Sequence, residues 1–347
     1  MYQPKFVITT QLNNQIAQIE KFSHIVESSR IIPEQEISLR YRATLDSVHS
    51  STSIEGNPLS SQQVKDVLAG NRVRAVDQAV IEVQNYKKAL DWLKKRKETG
   101  KQLSIQDVYQ LHSLVADQLL PDGKTGQIRP GPIYIVNVVG DEDIVQYTGP
   151  SASKVKDLLN NLFTWINKDG QDLHPVLLAS IIHYEFVTIH PFSDGNGRVG
   201  RLLSKLSLAL QGYDFKGVLV LDNYYAQNRL AYYQALSLGK TYPQRNKADL
   251  TPWLEYFVRG VVIEAEVLAE ELSIISFKSG EKQVELSKPE IAILSFVKQF
   301  QKISLTEARD IVEGTDRTAQ RRLKNLVDKG FLKQFGQARK VHYMLNE

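Results

Sequence analysis

Apolar residues recur three to four positions apart through most of this 347-residue chain, the spacing of helices that bury one face. ISLRYRATLDSVHSSTSIEGNPL predicts a helix from about Ile37 that stops at Gly56-Asn57, since glycine relaxes the last turn and Pro58 cannot continue it. A new helix should follow Leu59, with Ser60 or Ser61 as its cap. RPGPIYIVNVVGDEDIVQYTGP breaks the rhythm. Two β-rich runs, Ile133 to Val139 and Ile144 to Tyr147, flank the turn-like Gly140-Asp141-Glu142-Asp143, as in a hairpin. Thr251-Pro252 reads as the cap and first residue of a long helix. Near the end, PEIAILSFVKQF, SLTEARDIV and DRTAQRRLKNLVDKG are three helices, and FLKQFGQARKVHYML alternates like two short strands around Gly336.

The expectation is a mainly α protein. Polar connectors divide it into an N-terminal helical region (1–102), a central helical block with the hairpin (103–276), a linker (277–287) and a small C-terminal domain (288–347). Helix, helix-turn-helix and β-ribbon in that order resemble a winged helix-turn-helix domain. Its third helix would present Arg317, Thr318, Gln320 and Arg321, with Arg339 and Lys340 on the wing.

Charge sharpens that reading. The net charge is only +4, yet residues 280–347 hold thirteen Lys and Arg against nine Asp and Glu, so the whole surplus lies there. Between Arg317 and Lys340 eight basic residues face one acid, Asp328, which points to a polyanion such as DNA, or else to an ordinary solvated face. There are no cysteines, which excludes disulfides, thiolate zinc sites and a cysteine nucleophile. The first residues show no signal-peptide pattern, and no apolar run reaches membrane-spanning length. A soluble, cytoplasmic protein without a membrane partner is expected.

The densest chemistry is IHPFSDGNGRVGRLL, which gathers a histidine, an aspartate, an asparagine, two arginines and several glycines into twelve consecutive positions, His190 to Arg201. SIIHYEFVTIH reads as a buried helix leading in, and VGRLLSKLSLALQG as a helix leading out, begun just after Arg198. The tight loop between them, residues 193–197, would deliver unpaired backbone N–H groups and a positive helix end to one point. Glycines allow close approach of a ligand, and successive N–H groups form an anion nest. Arg198 and Arg201 share a helix face, and two fixed guanidiniums imply several phosphates. Asp194 would be repelled by them unless a cation intervened, as Mg²⁺ does beside a polyphosphate. His190 is suited to accept a proton near neutrality. Together these predict phosphoryl or nucleotidyl transfer to a hydroxyl. A P-loop is excluded, because Gln118 and Gln234 stand where its first glycine belongs. His183 and His190 make a poor metal pair, and His183 reads as structural.

HPFSDGNGRVGR resembles HPFx[D/E]GNGRxxR, the signature of the Fic-domain family of AMP transferases, at all nine diagnostic positions. The resemblance implies a helical core with a β-hairpin flap, and transfer of AMP from ATP to a Ser, Thr or Tyr hydroxyl with release of pyrophosphate. His190 would deprotonate the target hydroxyl, and Asp194 would hold Mg²⁺, or Mn²⁺ in its place. Gly195, Asn196 and Gly197 would form the anion hole, with Arg198 on the β-phosphate and Arg201 on the γ-phosphate. Phe192 would anchor the loop. Tyr232 and Tyr233 are candidates for the adenosine side, or for the core. The flap, at Ile135, Val136, Asn137 and Val138, would align a target segment by strand addition. SSTSIEG resembles the family's inhibitory motif through Ser51, Glu55 and Gly56. Glu55 ends its helix, where the dipole disfavours an anion, so it should seek a cation; Arg201 is the family's partner. The expected activity is therefore a self-inhibited protein adenylyltransferase acting on an unidentified protein or on itself. The alternatives are a DNA-binding regulator with an ATP-sensing or self-modifying core, and an enzyme that also removes AMP. A homodimer is left open.

Overall fold

The computed structural model describes residues 2–121, 123–139, 142–275, 286–336 and 341–346. The N-terminal region is four helices: α1 (Thr10–Ser28), α2 (Pro33–Ile54), α3 (Ser61–Leu68) and α4 (Asp77–Lys97). Pro33 begins α2 four residues before the predicted start, because its fixed φ suits a first helical position. The predicted stop holds: the chain leaves α2 through Gly56 at φ +96°. Ser60 then caps α3 in a reciprocal box with Gln63, each side chain bonding the other's backbone.

The central block runs α5 (Ile105–Val115), the hairpin β1 (Tyr134–Val139) and β2 (Glu142–Thr148), α6 (Ala152–Ile166), α7 (Pro175–Ile189), α8 (Asn196–Leu210), three short helices α9 (Leu221–Gln227), α10 (Arg229–Leu236) and α11 (Tyr242–Arg245), and α12 (Thr251–Ile275). The antiparallel hairpin has a bulge between Ile135 and Val136. At the start of α12 the cap differs from expectation. Thr251 is already helical, and Asp249 accepts from its backbone N–H at 2.9 Å and its hydroxyl at 2.6 Å. The cap position is Leu250, whose carbonyl accepts from the Leu254 N–H at 2.9 Å, and the side-chain acceptor comes from Asp249 just before it.

α7 is buried along almost its whole length and forms the axis of the core, with α8 and α12 packed on it. Trp253 on α12 donates its indole N–H to the Ser180 carbonyl on α7 at 2.8 Å. The N-terminal helices join this same core through residues such as Leu12, Val48, Val83 and Tyr86.

The C-terminal segment contains α13 (Lys288–Phe300), α14 (Leu305–Ile311), α15 (Asp316–Asp328) and the antiparallel strands β3 (Leu332–Phe335) and β4 (His342–Leu345). Ile293, Val297, Leu323 and Leu326 form its own core. That core also holds Ile37 of α2, 4% exposed. Gln299 on α13 donates to the Leu68 carbonyl at 2.8 Å. α2, 22 residues and about 33 Å long, thus has one end in the C-terminal core and the other at the predicted site.

Candidate active site

α7 ends at His190, which adopts a left-handed conformation (φ 50°, ψ 63°). The turn is held from three directions. Arg129, 3% exposed, donates from Nε to the His190 carbonyl at 2.8 Å, while its terminal nitrogens reach the carbonyls of Gly131 and Pro150 at 2.5 and 2.6 Å. Phe192 is fully buried, stacked on His112 with ring centres 3.7 Å apart. The Asn196 side chain closes the loop on Phe192, accepting from its N–H at 2.9 Å and donating to its carbonyl at 2.8 Å. The backbone N–H of Asn196 remains for an anion.

α8 begins three residues earlier than the pattern suggested, at Asn196, with Gly195 as N-cap at φ +78°. The glycine permits that left-handed cap without a Cβ penalty. The predicted loop is correspondingly shorter, and the N–H groups of Asn196, Gly197 and Arg198 fall in the first turn, where a helix offers no internal acceptor. Gly195 differs again: its N–H donates to the Asp194 carboxylate at 2.6 Å. A Cβ on Gly197 would meet the Glu55 carboxylate and push it aside, so glycine lets Glu55 lie close against the helix start.

Both arginines of the motif are buried and both are engaged by carboxylates. Arg201 lies 2.8 Å from Glu55, donates from Nε to the Ser51 hydroxyl at 2.7 Å and from Nη2 to the Ser51 carbonyl at 2.9 Å. Asp222 stands behind it at 3.6 Å. Burial alone would lower its pKa, but the Glu55 charge leads the groups that raise it. Arg198 lies 3.1 Å from Glu82 on α4 and 3.2 Å from Asp194. Glu82 in turn accepts from Asn57 at 2.8 Å, directly after the Ser51–Gly56 segment. Among the described residues, Arg198 Nε and Arg201 Nη1 are buried without an acceptor. Buried N–H groups ordinarily find partners, so these fit a ligand that brings acceptor oxygens.

His190 Nδ1 lies 3.0 Å from the Val187 carbonyl, which assigns the proton to Nδ1 and leaves Nε2 to accept one. Its pKa is lowered by burial, with the Val187 carbonyl and the charge of Glu55 opposing and Arg129 and Arg245 reinforcing. The imidazole is therefore in its basic form below the pH that the sequence suggested. His112 is neutral as well, pushed down to about 4 mainly by burial; Nδ1 accepts from the Gly126 N–H at 2.8 Å and Nε2 reaches the Asp194 carbonyl at 3.2 Å.

The aromatic pair divides. Tyr232 is 1% exposed, 2.9 Å from His183 Nε2, and both belong to the aromatic core around Trp253. Tyr233 is 39% exposed, with its hydroxyl on the Ile54 carbonyl at 3.3 Å and Arg229 over its ring. Of the two, only Tyr233 has a face open to a nucleotide. On the flap, Ile135 and Val136 are exposed, and β1 pairs with β2 alone among the described residues. The side chains of Asn137 and Val138 lie outside the described residues. Tyr147 pins the flap to α7 through its hydroxyl on the Thr188 carbonyl at 2.5 Å.

Residues 102–208 match the family model described as the Fic/DOC family. The chain carries a Fic domain. Among curated relatives, Protein adenylyltransferase Fic of Aedes aegypti is 28% identical over 220 residues, covering 62% of this chain and 39% of that protein. This chain thus spans about two fifths of that relative's length. Two solved structures share the fold. A Fic family protein from Desulfovibrio desulfuricans G20 aligns over 99% of this chain and 98% of its own, with TM-score 0.65 and 24% identity. A Fic domain containing signaling protein from Bacteroides thetaiotaomicron covers 76% of this chain and 100% of its own, with TM-score 0.63 and 23% identity.

The Fic motif alone did not reveal Glu82, Asn57, Arg129, His112 or Asp222. Each acts across a long sequence separation, 116 residues for Glu82 to Arg198 and 61 for Arg129 to His190. The one local hint was Asn57, which follows Glu55-Gly56 and precedes proline. A metal would find one hard oxygen set here, the Asp194 carboxylate, about 60% exposed. Among the described residues no cluster of three His, Asp or Glu side chains is placed to hold an ion. The donor set therefore suits Mg²⁺ carried mainly by phosphate oxygens and water.

Proposed function

We propose that this chain is a protein adenylyltransferase that moves AMP from ATP to a Ser, Thr or Tyr hydroxyl of a protein, itself included, and that Glu55 restrains it. The supporting observation is the convergence of two buried guanidiniums and the N-terminus of α8 beside a neutral imidazole. The first-turn N–H groups would take the α-phosphate, Arg198 the β-phosphate and Arg201 the γ-phosphate. Asp194 would hold Mg²⁺, which supplies charge neutralisation on the phosphates. His190 Nε2 accepts the proton of the attacking hydroxyl, its oxygen bonds to the α-phosphorus, and pyrophosphate leaves on the opposite side. The open edge of β1 would hold the target segment extended, its hydroxyl offered to His190. Ser51 and Glu55 occupy the guanidinium that the γ-phosphate needs, so nucleotide either displaces them or binds unproductively.

Intact-mass measurement after incubation with ATP and Mg²⁺ tests this directly. Added AMP on the Glu55→Gly variant, absent from Glu55→Gly/His190→Ala, is the expected result; no added mass on any form or on a co-incubated cell extract refutes it.

One observation favours a second activity of the same site. Glu55 keeps its carboxylate partly open to solvent while held on Arg201, which supports a role in orienting water for removal of AMP; purified AMP-modified protein returned to the wild type would then lose its label. For the C-terminal segment, Arg317, Gln320 and Arg321 are exposed along α15, while Thr318 is spent in the cap formed by Thr315. Arg339 and Lys340 lie outside the described residues. The exposed basic face supports duplex DNA as its partner, which a salt-dependent gel shift lost in Arg317→Ala/Arg321→Ala would reveal.

A further inference from the structure

A second cavity lies behind Arg201, on the side away from the phosphate cradle. It lies between α2, α4, α8 and the segment leading into α9. Arg201 is shared with the site above, but neither His190 nor any residue from Asp194 to Gly197 lines it. Its walls are chiefly aliphatic, with Leu90, Leu93, Leu208 and Leu219 among them. An aliphatic lining with a few charged groups set into it is typical of sites that hold a small molecule.

The charges within it are unbalanced. Lys97 is taken by Asp214. Lys205 is 3.0 Å from the Ser47 hydroxyl and 3.7 Å from Asp222, a carboxylate that also serves Arg201 at 3.6 Å. Lys94, at the mouth and 56% exposed, has Thr44 at 3.4 Å and Asp91 at 3.9 Å. Asp91 already holds Lys87 at 2.5 Å. Two ammonium groups thus look into an apolar chamber with only shared or distant counter-charge. Burial lowers the pKa of Lys205, and the shared charge of Asp222 only partly opposes it. An anion between the two lysines would offset the cost of burial, and an aliphatic body would cover the leucines.

We propose that this cavity binds an amphipathic anion, an aliphatic molecule with a carboxylate or phosphate head, whose head group rests between Lys94 and Lys205. Its α2 wall is made by Ala43, Thr44 and Ser47, one turn before the Ser51 that holds Arg201. The site does not depend on AMP transfer, and its test needs no nucleotide.

Calorimetric titration of the full chain with monomeric octyl phosphate, octanoate, octanol and inorganic phosphate decides the matter. At least one of the two amphiphilic anions should saturate one site per chain, and the tighter of them names the head group. Octanol and inorganic phosphate, each with half of the recognition, should bind about tenfold more weakly or worse. Lys94→Gln, an exposed change that leaves the fold alone, and Lys205→Met should each weaken that anion about tenfold. Ala209→Phe, which fills the chamber, should abolish binding. No saturable binding, octanol binding as tightly as the anions, or undiminished affinity in both lysine variants would overturn the assignment.

Discussion

Replacing Glu55 with glycine removes the carboxylate 2.8 Å from Arg201. Losing one partner of a buried ion pair ordinarily costs about 3–5 kcal/mol, because the other charge is stranded. Arg201 is not stranded. Ser51 still accepts twice, at 2.7 and 2.9 Å, and Asp222 remains at 3.6 Å. Global stability should therefore fall by only about 1 kcal/mol, the scale of one ordinary hydrogen bond. The larger effect is on nucleotide. A charge-assisted hydrogen bond from a guanidinium to phosphate is worth about 1.5–3 kcal/mol, or roughly 10- to 150-fold in affinity. Glu55 is 28% exposed, so solvent screens part of its competition and the lower half of that range applies. Titration of Mg²⁺-ATP into wild type and Glu55→Gly should show about 10- to 30-fold tighter binding in the variant. Intact-mass time courses should show faster AMP addition. A folded variant with unchanged ATP affinity and unchanged labelling would mean that Arg201 was never withheld from nucleotide, and the restraint would have to be sought elsewhere.

Other outcomes follow from the same geometry. His190→Ala in the Glu55→Gly background should slow AMP addition by about 10²- to 10⁴-fold with ATP affinity retained, as radiolabel incorporation and calorimetry would show. Because burial lowers the His190 pKa, the acidic limb of the rate profile should lie below the ordinary histidine value of about 6.5, and a midpoint above 7 would contradict the assigned tautomer and environment. His112 and His183, pushed down to about 4 and about 3 by burial, contribute stability that is whole above about pH 6.5. That contribution is lost as pH falls through their folded values, which urea midpoints between pH 7 and 4 should record as a steady decline. Asn57→Ala removes bonds to the Ala79 carbonyl at 3.0 Å, to Glu82 at 2.8 Å and from the Leu59 N–H at 3.1 Å. It should cost about 1–3 kcal/mol in urea denaturation, and a neutral result would show that these bonds are replaced by water.

What the sequence determined was local. The α2 stop at Gly56, the Ser60 cap, the hairpin and the nine-position motif each need residues within about a dozen positions, and their dihedral and capping preferences act at that range. The motif also carried the proposed function class, because glycines, arginines and a histidine in that order leave few other chemistries. The helix boundary inside the motif was read less well, since α8 begins at Asn196, and nothing local showed that the Asn196 side chain closes the loop on Phe192. Tertiary structure alone decided which groups meet. Glu82 meets Arg198 from another helix, Arg129 holds the His190 carbonyl from beneath the flap, and Ile37 joins the C-terminal core. A chain spells out its periodicities and caps, but charge pairing and core membership depend on which faces pack together, and that packing is set by the whole core at once.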